Sequence, residues 1–102
     1  MAKLLVMYHT PADPAAFDTY YNRTHVVVAK KLPGVRSYTI SKGPIASPGG
    51  TSPYHLIAEL TFDSMGAIQA ALGSPEGQAA VADLSNFASA GVTISMYDMR
   101  DA

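Results

Sequence analysis

A single helix, predicted between Pro14 and Leu32, constrains the fold more than any other part of the sequence. Asp13 can accept hydrogen bonds from the free N–H groups of the first helical turn, and Pro14 suits a first position where no N–H is needed. Pro33 and Gly34 then end the helix. Because both ends are marked, this helix can be placed before any other element.

One side of the helix is apolar. At about 100° per residue its apolar residues form a stripe, and His25 falls on the edge of that stripe. Thr19, Arg23 and Lys30 fall on the opposite side. The helix is therefore predicted to lie on an apolar layer and to hold an imidazole at the boundary of the contact. The stripe consists of Phe17, Tyr21, Thr24, Val28 and Leu32.

Hydrophobic patterns and caps place the remaining elements. The Gly43–Pro53 segment contains three Gly and three Pro, which predicts an irregular loop without regular structure. Strict alternation along the third strand would place Tyr54 on the face of Leu56 and His55 on the opposite face. The predicted strands are Lys3–His9, Val35–Lys42, Tyr54–Phe62 and Gly91–Arg100, and the later helices run from Asp63 or Ser64 to Leu72 and from Ser74 to Leu84.

The order βαββαβ predicts an α+β protein with the ferredoxin-like fold, a four-stranded antiparallel sheet with helices on one face. A chain of 102 residues is expected to form it as a single domain. Two helices cover only one face of such a sheet, and Ile57, Ile94 and Met96 are expected on the other. Burial of that apolar face against a second copy predicts a homodimer, packed sheet on sheet.

Charge and cysteine content exclude several classes of partner and site. The net charge is −1 with no basic run, so neither nucleic acid nor an anionic membrane is an expected partner. No apolar stretch approaches about 20 residues, which predicts neither a membrane span nor a signal peptide. The absence of cysteine excludes disulfides, thiolate nucleophiles and cysteine-ligated metals. The cytoplasm is the expected location.

His25 is the leading candidate for chemistry. An imidazole between helix and sheet could act as a general acid or base, or as a hydrogen-bond anchor for a ligand. Tyr21 lies one turn before it, and Tyr8 could face it from the first strand. The competing interpretation is a structural histidine that bonds a backbone carbonyl at the edge of the core.

A metal or nucleotide site has weaker support. His9 and His55 could approach each other at one end of the sheet, with Glu59 nearby. However, His55 and Glu59 are four residues apart on a strand, which is too far to hold one ion, and no HxH or HxxxH pair occurs. Glu59 is instead expected to be paired at the dimer interface. No phosphate loop or dinucleotide fingerprint is present, so neither a metal nor a tightly bound cofactor is predicted.

Several segments, which together extend over nearly the whole chain, make the sequence resemble the EthD family. The first half carries Phe17-x-x-Tyr20-Tyr21-x-x-Thr24-His25 and Ala29-Lys30-Lys31-Leu32-Pro33-Gly34-Val35-Arg36-x-Tyr38. The middle carries Pro53-Tyr54-His55-Leu56-Ile57-Ala58-Glu59-Leu60-x-Phe62-Asp63-Ser64, and the second half carries Ser74-Pro75-Glu76 and Ala82-Asp83-x-x-Asn86-Phe87.

The resemblance implies a dimeric α+β barrel with a helix-borne histidine, here His25, at a small-molecule pocket. Members of the family are often labelled as reductases or as accessory proteins of ether degradation, and proteins with this barrel include methylmuconolactone isomerases and cofactor-independent monooxygenases. Val27 stands where the family commonly has proline, which predicts a straighter helix past His25.

Three functional hypotheses follow. In the first, each subunit binds a small hydrophobic or aromatic molecule; His25 acts as acid or base, and Tyr8 and Tyr21 orient the ligand in an isomerase or oxidoreductase reaction. In the second, the same pocket serves a non-catalytic accessory or binding protein. In the third, the chain is a structural dimer with a filled core.

Overall fold

The computed structural model describes residues Met1 to Ala102 and follows the predicted order of elements. The main strands are β1 (Ala2–His9), β2 (Ser37–Ile40), β5 (Tyr54–Phe62) and β6 (Val92–Asp98). The helices are α1 (Pro14–Tyr20), a π-helical turn (Tyr21–His25), α2 (Val26–Ala29), α3 (Met65–Gly73), α4 (Pro75–Asp83) and a 3₁₀ turn (Leu84–Asn86). None of the helices is long and apolar enough to span a bilayer.

The four main strands form one antiparallel sheet in the order β2-β5-β1-β6. This is the ferredoxin-like arrangement that the sequence predicts. Alternate residues of β1 and β5 are buried on the side of the helices, where they join Phe17, Tyr21 and Ile68 in one hydrophobic core. The strand residues of this core are Ala2, Leu4, Val6, Tyr8, Leu56, Ala58, Leu60 and Phe62.

The helix-free face of the sheet differs from the prediction. Ile94 pairs with Val6 and Met96 with Leu4, so both lie on the helix side and not on the free face. The prediction assigned these two residues of β6 to the wrong face, because both faces of that edge strand are partly apolar. Ile57 lies on the free face as predicted, together with Leu5 and Met7; all three are half-buried in the single chain and have polar side chains beside them.

A β-bulge interrupts β5 near its start. Tyr8 pairs with Leu56, but the next residue, His9, pairs with Tyr54, so His55 is an extra residue on β5. The bulge reverses the predicted alternation. Tyr54 lies beside His9, and His55 turns to the helix side, where its Nε2 is 2.7 Å from an Asp18 carboxylate oxygen.

The first helix is not one regular helix, since a π-helical turn separates α1 from α2. The Val26 N–H bonds the Tyr21 carbonyl, five residues back, which defines the π-helical turn. Four residues of an α-helix turn through about 400°, so residues that recur every four positions move around the helix by about 40° each time. The wider π-helical turn removes that displacement. As a result His25 and Ala29 are buried, whereas Thr24, predicted on the buried stripe, is exposed.

The loop between β2 and β5 contains regular structure, contrary to the prediction. Two short strands, β3 (Ala46–Ser47) and β4 (Gly50–Thr51), form a hairpin. Gly50 has a φ of +125°, a conformation open to glycine. The glycines and prolines of this loop thus shape a tight turn and do not prevent the pairing of two short strands.

Serine side chains begin both later helices, as predicted. Ser64 accepts a hydrogen bond from the Ala67 N–H, and Ser74 accepts one from the Gly77 N–H. The Ser74-Pro75 break separates α3 from α4, which then packs across the C-terminal end of α3. This turn brings the end of α4 to His25.

Candidate functional site

A cavity of about 80 Å³ lies between the helices and the sheet. Of the 15 residues that line it, 14 are hydrophobic or aromatic and the other is His25. The volume exceeds the roughly 30 Å³ share of one water but is smaller than the roughly 150 Å³ of a cavity known to take benzene. Val81 and Ile94 line it and are 49% and 42% exposed, so they mark its mouth. A ligand reaching the mouth would cover both side chains.

His25 has different partners on its two ring nitrogens. Its Nδ1 lies 2.9 Å from an oxygen of the Asp83 carboxylate, and its Nε2 lies 3.3 Å from the Tyr8 hydroxyl. An ionised carboxylate only accepts, so Nδ1 carries the proton and the neutral ring presents a lone pair at Nε2. That lone pair receives only the long hydrogen bond from Tyr8, at a point where both rings line the apolar cavity.

Asp83 is held by three donors. The hydroxyl of Tyr20 donates to it over 2.6 Å, the Asn86 side-chain amide over 2.9 Å, and His25 through Nδ1. Burial opposes ionisation of Asp83, but these hydrogen bonds outweigh that effect and hold its pKa below the usual value. The carboxylate is therefore charged at neutral pH and can stabilise an imidazolium on His25.

Two further tyrosines meet at the cavity. The Tyr21 and Tyr38 hydroxyl oxygens are 2.5 Å apart. Burial, followed by the neighbouring tyrosine, raises the pKa of Tyr21 above its usual value, and burial likewise raises the pKa of Tyr8 and of Tyr38. All three phenols therefore remain protonated near neutral pH and act as hydrogen-bond donors.

Phe87 fixes the imidazole from the side of the 3₁₀ turn. Its ring centroid lies 4.7 Å from that of His25 and 5.3 Å from that of Tyr20, on which it stacks. The same ring contacts Tyr8 and Phe17. The end of α4 thus supplies the carboxylate, and the connection after it supplies the aromatic wall, that set the orientation of His25.

The structure brings together some predicted site residues and separates others. His25, Tyr8 and Tyr21 line one cavity, and His25 is buried rather than half-exposed at the edge of a stripe. His9 bonds Thr93 on the free face, whereas His55 turns toward α1, so the two imidazoles point to opposite faces. No group of three or more His, Asp or Glu side chains comes together in a way that could hold a metal ion.

Glu59, predicted to be paired across a dimer interface, has a partner within the chain. One of its carboxylate oxygens lies 3.4 Å from the Lys3 ammonium on the neighbouring strand. Five further residues of the site could not be identified from the spacing of the sequence. All of them occur in the segments that resemble the EthD family, but spacing alone gave them no role. They are Tyr20, Tyr38, Asp83, Asn86 and Phe87.

Comparisons with known proteins agree with this fold. The sequence profile of the EthD domain matches residues 9–91. A Rhodococcus erythropolis protein, described as an uncharacterized 11.0 kDa protein in the thcB–thcC intergenic region, is 41% identical over 98 residues, which cover 96% of this chain and 94% of the relative.

Two solved structures are similar over almost the whole chain. An ethyl tert-butyl ether D (EthD) family protein from Bacillus halodurans has a TM-score of 0.89 and 32% identity, with 98% of this chain and 99% of that chain covered. SnoaB, a cofactor-independent oxygenase from Streptomyces nogalater, has a TM-score of 0.66 and 16% identity, with 99% and 94% covered. The second likeness is one of fold alone.

Proposed function

The chain belongs to the EthD family, and we propose that it binds a small hydrophobic or aromatic molecule in the cavity and uses His25 as a general base. The observation that carries the proposal is the asymmetry of the imidazole. Nδ1 is held by Asp83 at 2.9 Å, while Nε2 has one weak partner, the Tyr8 hydroxyl at 3.3 Å, and the ring lines an apolar cavity. Such a base can take a proton from a bound ligand without a cofactor.

Removal of a proton from the ligand by a general base can begin either an isomerisation or a cofactor-independent oxidation. When Nε2 accepts the proton, the ring becomes an imidazolium whose charge lies beside the Asp83 carboxylate. Return of the proton to a different ligand atom completes an isomerisation. Tyr8 and Tyr21 orient the ligand, since both rings line the cavity and meet edge to face with centroids 5.5 Å apart.

Base catalysis is testable without the natural substrate. We expect the protein to accelerate hydrogen–deuterium exchange at carbon next to the carbonyl of compact lactones and cyclic ketones in D₂O, measured by NMR. His25→Gln should lower that exchange by about 100-fold or more, while thermal-shift binding of the same compounds persists. His9→Gln is the matched control, because His9 lies on the opposite face, and it should leave exchange unchanged. Equal exchange in wild type and His25→Gln would contradict the proposal.

A non-catalytic binding protein is the second candidate. Every buried side-chain nitrogen and oxygen already has a hydrogen-bond partner within the chain, so the cavity can hold an apolar ligand without any proton transfer. In that case wild type would bind the panel with no exchange above the buffer rate. His25→Gln would then change stability alone.

We also propose that the chain forms a homodimer through the helix-free face of the sheet. Leu5, Met7 and Ile57 lie together on a face that no element of this chain covers. Sedimentation is expected to give twice the 10.7 kDa mass of the chain. Met7→Glu should give a single-chain mass, because a carboxylate would be buried at the interface. Val27→Glu, at a position 54% exposed on the helix side, should leave the mass doubled.

A further inference from the structure

The phenolic protons at the cavity outnumber the acceptors that the protein offers them. Tyr8 donates its proton to the Nε2 of His25. Tyr21 and Tyr38 bond only each other, and a pair of hydroxyls uses one of its two protons in a mutual hydrogen bond. One phenolic proton of the pair is therefore left without a protein acceptor.

Burial indicates which tyrosine carries the spare proton. Tyr21 is 0% exposed, so a proton that pointed away from Tyr38 would lie in an apolar core without an acceptor. Tyr38 is only half-buried and lines the cavity. The arrangement of lower cost has Tyr21 donating to the Tyr38 oxygen. The Tyr38 proton is then free, and it is a stronger donor because its oxygen already accepts a hydrogen bond.

We propose that the Tyr21–Tyr38 hydroxyl pair is a binding subsite for a negatively charged ligand oxygen, that of a phenolate or an enolate, with Tyr38 as the direct donor. The ligand class is thus a compact apolar frame that bears one such oxygen. The proposal rests on the proposed function, since it concerns the same cavity. Tyr38 ends one of the segments that resemble the EthD family, but the sequence alone gave its hydroxyl no role.

The subsite complements the base, since both line the same cavity. When His25 Nε2 takes a proton from carbon next to a carbonyl, the C–H bonding pair forms the new carbon–carbon double bond and the carbonyl π pair moves to oxygen. The resulting enolate oxygen needs a donor that does not itself lose its proton. The raised pKa of Tyr38, caused by burial, keeps that hydroxyl protonated beside the anion.

A matched pair of single-ring probes tests the subsite. Pentafluorophenol is a phenolate at neutral pH, and pentafluorotoluene replaces its oxygen with a methyl group of similar size. Binding of each is measured by ¹⁹F NMR titration of the full chain. We expect Tyr38→Phe to lower the affinity for the phenolate relative to the toluene by about tenfold or more. Tyr21→Phe should lower it less, because the Tyr38 proton remains.

Each outcome separates the subsite from the cavity itself. Tyr97→Phe is the control, since Tyr97 pairs with Lys3 on the free face. The ratio of pentafluorophenol to pentafluorotoluene affinity in this variant should equal that of wild type. Unchanged pentafluorotoluene binding shows that Tyr38→Phe folds with its cavity intact. An unchanged ratio in Tyr38→Phe, or a larger loss in Tyr21→Phe, would overturn the assignment to Tyr38 and leave the proposed function standing. Failure of wild type to bind either probe would overturn both.

Discussion

Gly77→Ala is expected to lower the free energy of unfolding by about 3 kcal/mol or more, the upper range for overpacking. A Cβ at this position would lie 2.7 Å from the Leu72 Cα and closer still to the Ala71 carbonyl oxygen. Both contacts are with backbone atoms, so no side chain can turn away, and α4 must move from the end of α3. Equilibrium unfolding in urea measures the change.

Gly73→Ala provides the matched control. Gly73 is the last residue of α3, and a Cβ there would meet nothing within 4 Å. Alanine also favours a helix over glycine by up to about 1 kcal/mol. This variant should therefore be as stable as wild type or slightly more stable. Similar small effects for both variants would show that α4 does not depend on the close contact at Gly77.

The clash also has a functional consequence. α4 ends at Asp83 and contributes Ala80 and Val81 to the cavity wall. A shift at its first turn would therefore move the carboxylate away from His25. If Gly77→Ala still folds, its ligand affinity should fall with its stability, whereas Gly73→Ala should retain both.

Local signals in the sequence were sufficient for most of the fold. Asp13, Ser64 and Ser74 cap helices as predicted, and each acts on N–H groups three residues away. The short apolar run Lys3–His9 predicts a strand, and the structure has one at Ala2–His9. These features depend on neighbours in the chain, which is why the sequence alone contains them.

The irregular elements depend on tertiary contacts and could not be predicted in the same way. The π-helical turn brings both Tyr21 and His25 to the cavity, and the bulge brings His55 to Asp18. Regular periodicity assigned Thr24 to the buried side. An insertion of one residue in a strand or turn changes every later assignment by one position.

The candidate site was only half predictable for a related reason. His25 and Tyr21 share one helix, so their spacing placed them together. Asp83 bonds His25 from 58 residues away, and Tyr38 meets Tyr21 from a different strand. Carboxylates and tyrosines are common at surfaces and in cores, and nothing local distinguishes these two. The hydrogen bond from His25 Nδ1 to Asp83, which sets the tautomer and the orientation of the imidazole, appears only in three dimensions.

Asp83→Asn is expected to destabilise the protein by about 2 to 4 kcal/mol at pH 7, since hydrogen bonds to a buried charged group are lost and donors are left unpaired. The asparagine amide can accept through one oxygen only, while Tyr20, Asn86 and His25 all donate to this position. In wild type, ¹⁵N NMR should find His25 protonated at Nδ1. In the variant the Nε2–H form should become populated, and catalysed exchange should fall with it.

Because of the Asp83 carboxylate, the free energy of unfolding should also fall on acidification. The pKa of Asp83 is lower in the folded state than in the unfolded chain, so its contribution is fully present above about pH 4 to 5. It is lost as pH falls through the folded-state pKa below that range. The urea midpoint of wild type should therefore drop steeply on acidification, and that of Asp83→Asn much less.

Added salt separates the effect of Asp83 on stability from that of an ordinary surface carboxylate, Asp63. The bidentate hydrogen bonds from Arg36 also lower the pKa of Asp63, but both side chains are more than half exposed. Salt at 1 M should screen that pair and remove its share of the acid dependence, because the screening length falls to about 3 Å. The Asp83 share should persist in salt, since that carboxylate is largely buried beside His25. An acid transition that 1 M salt abolishes in wild type would mean that Asp83 does not anchor the imidazole.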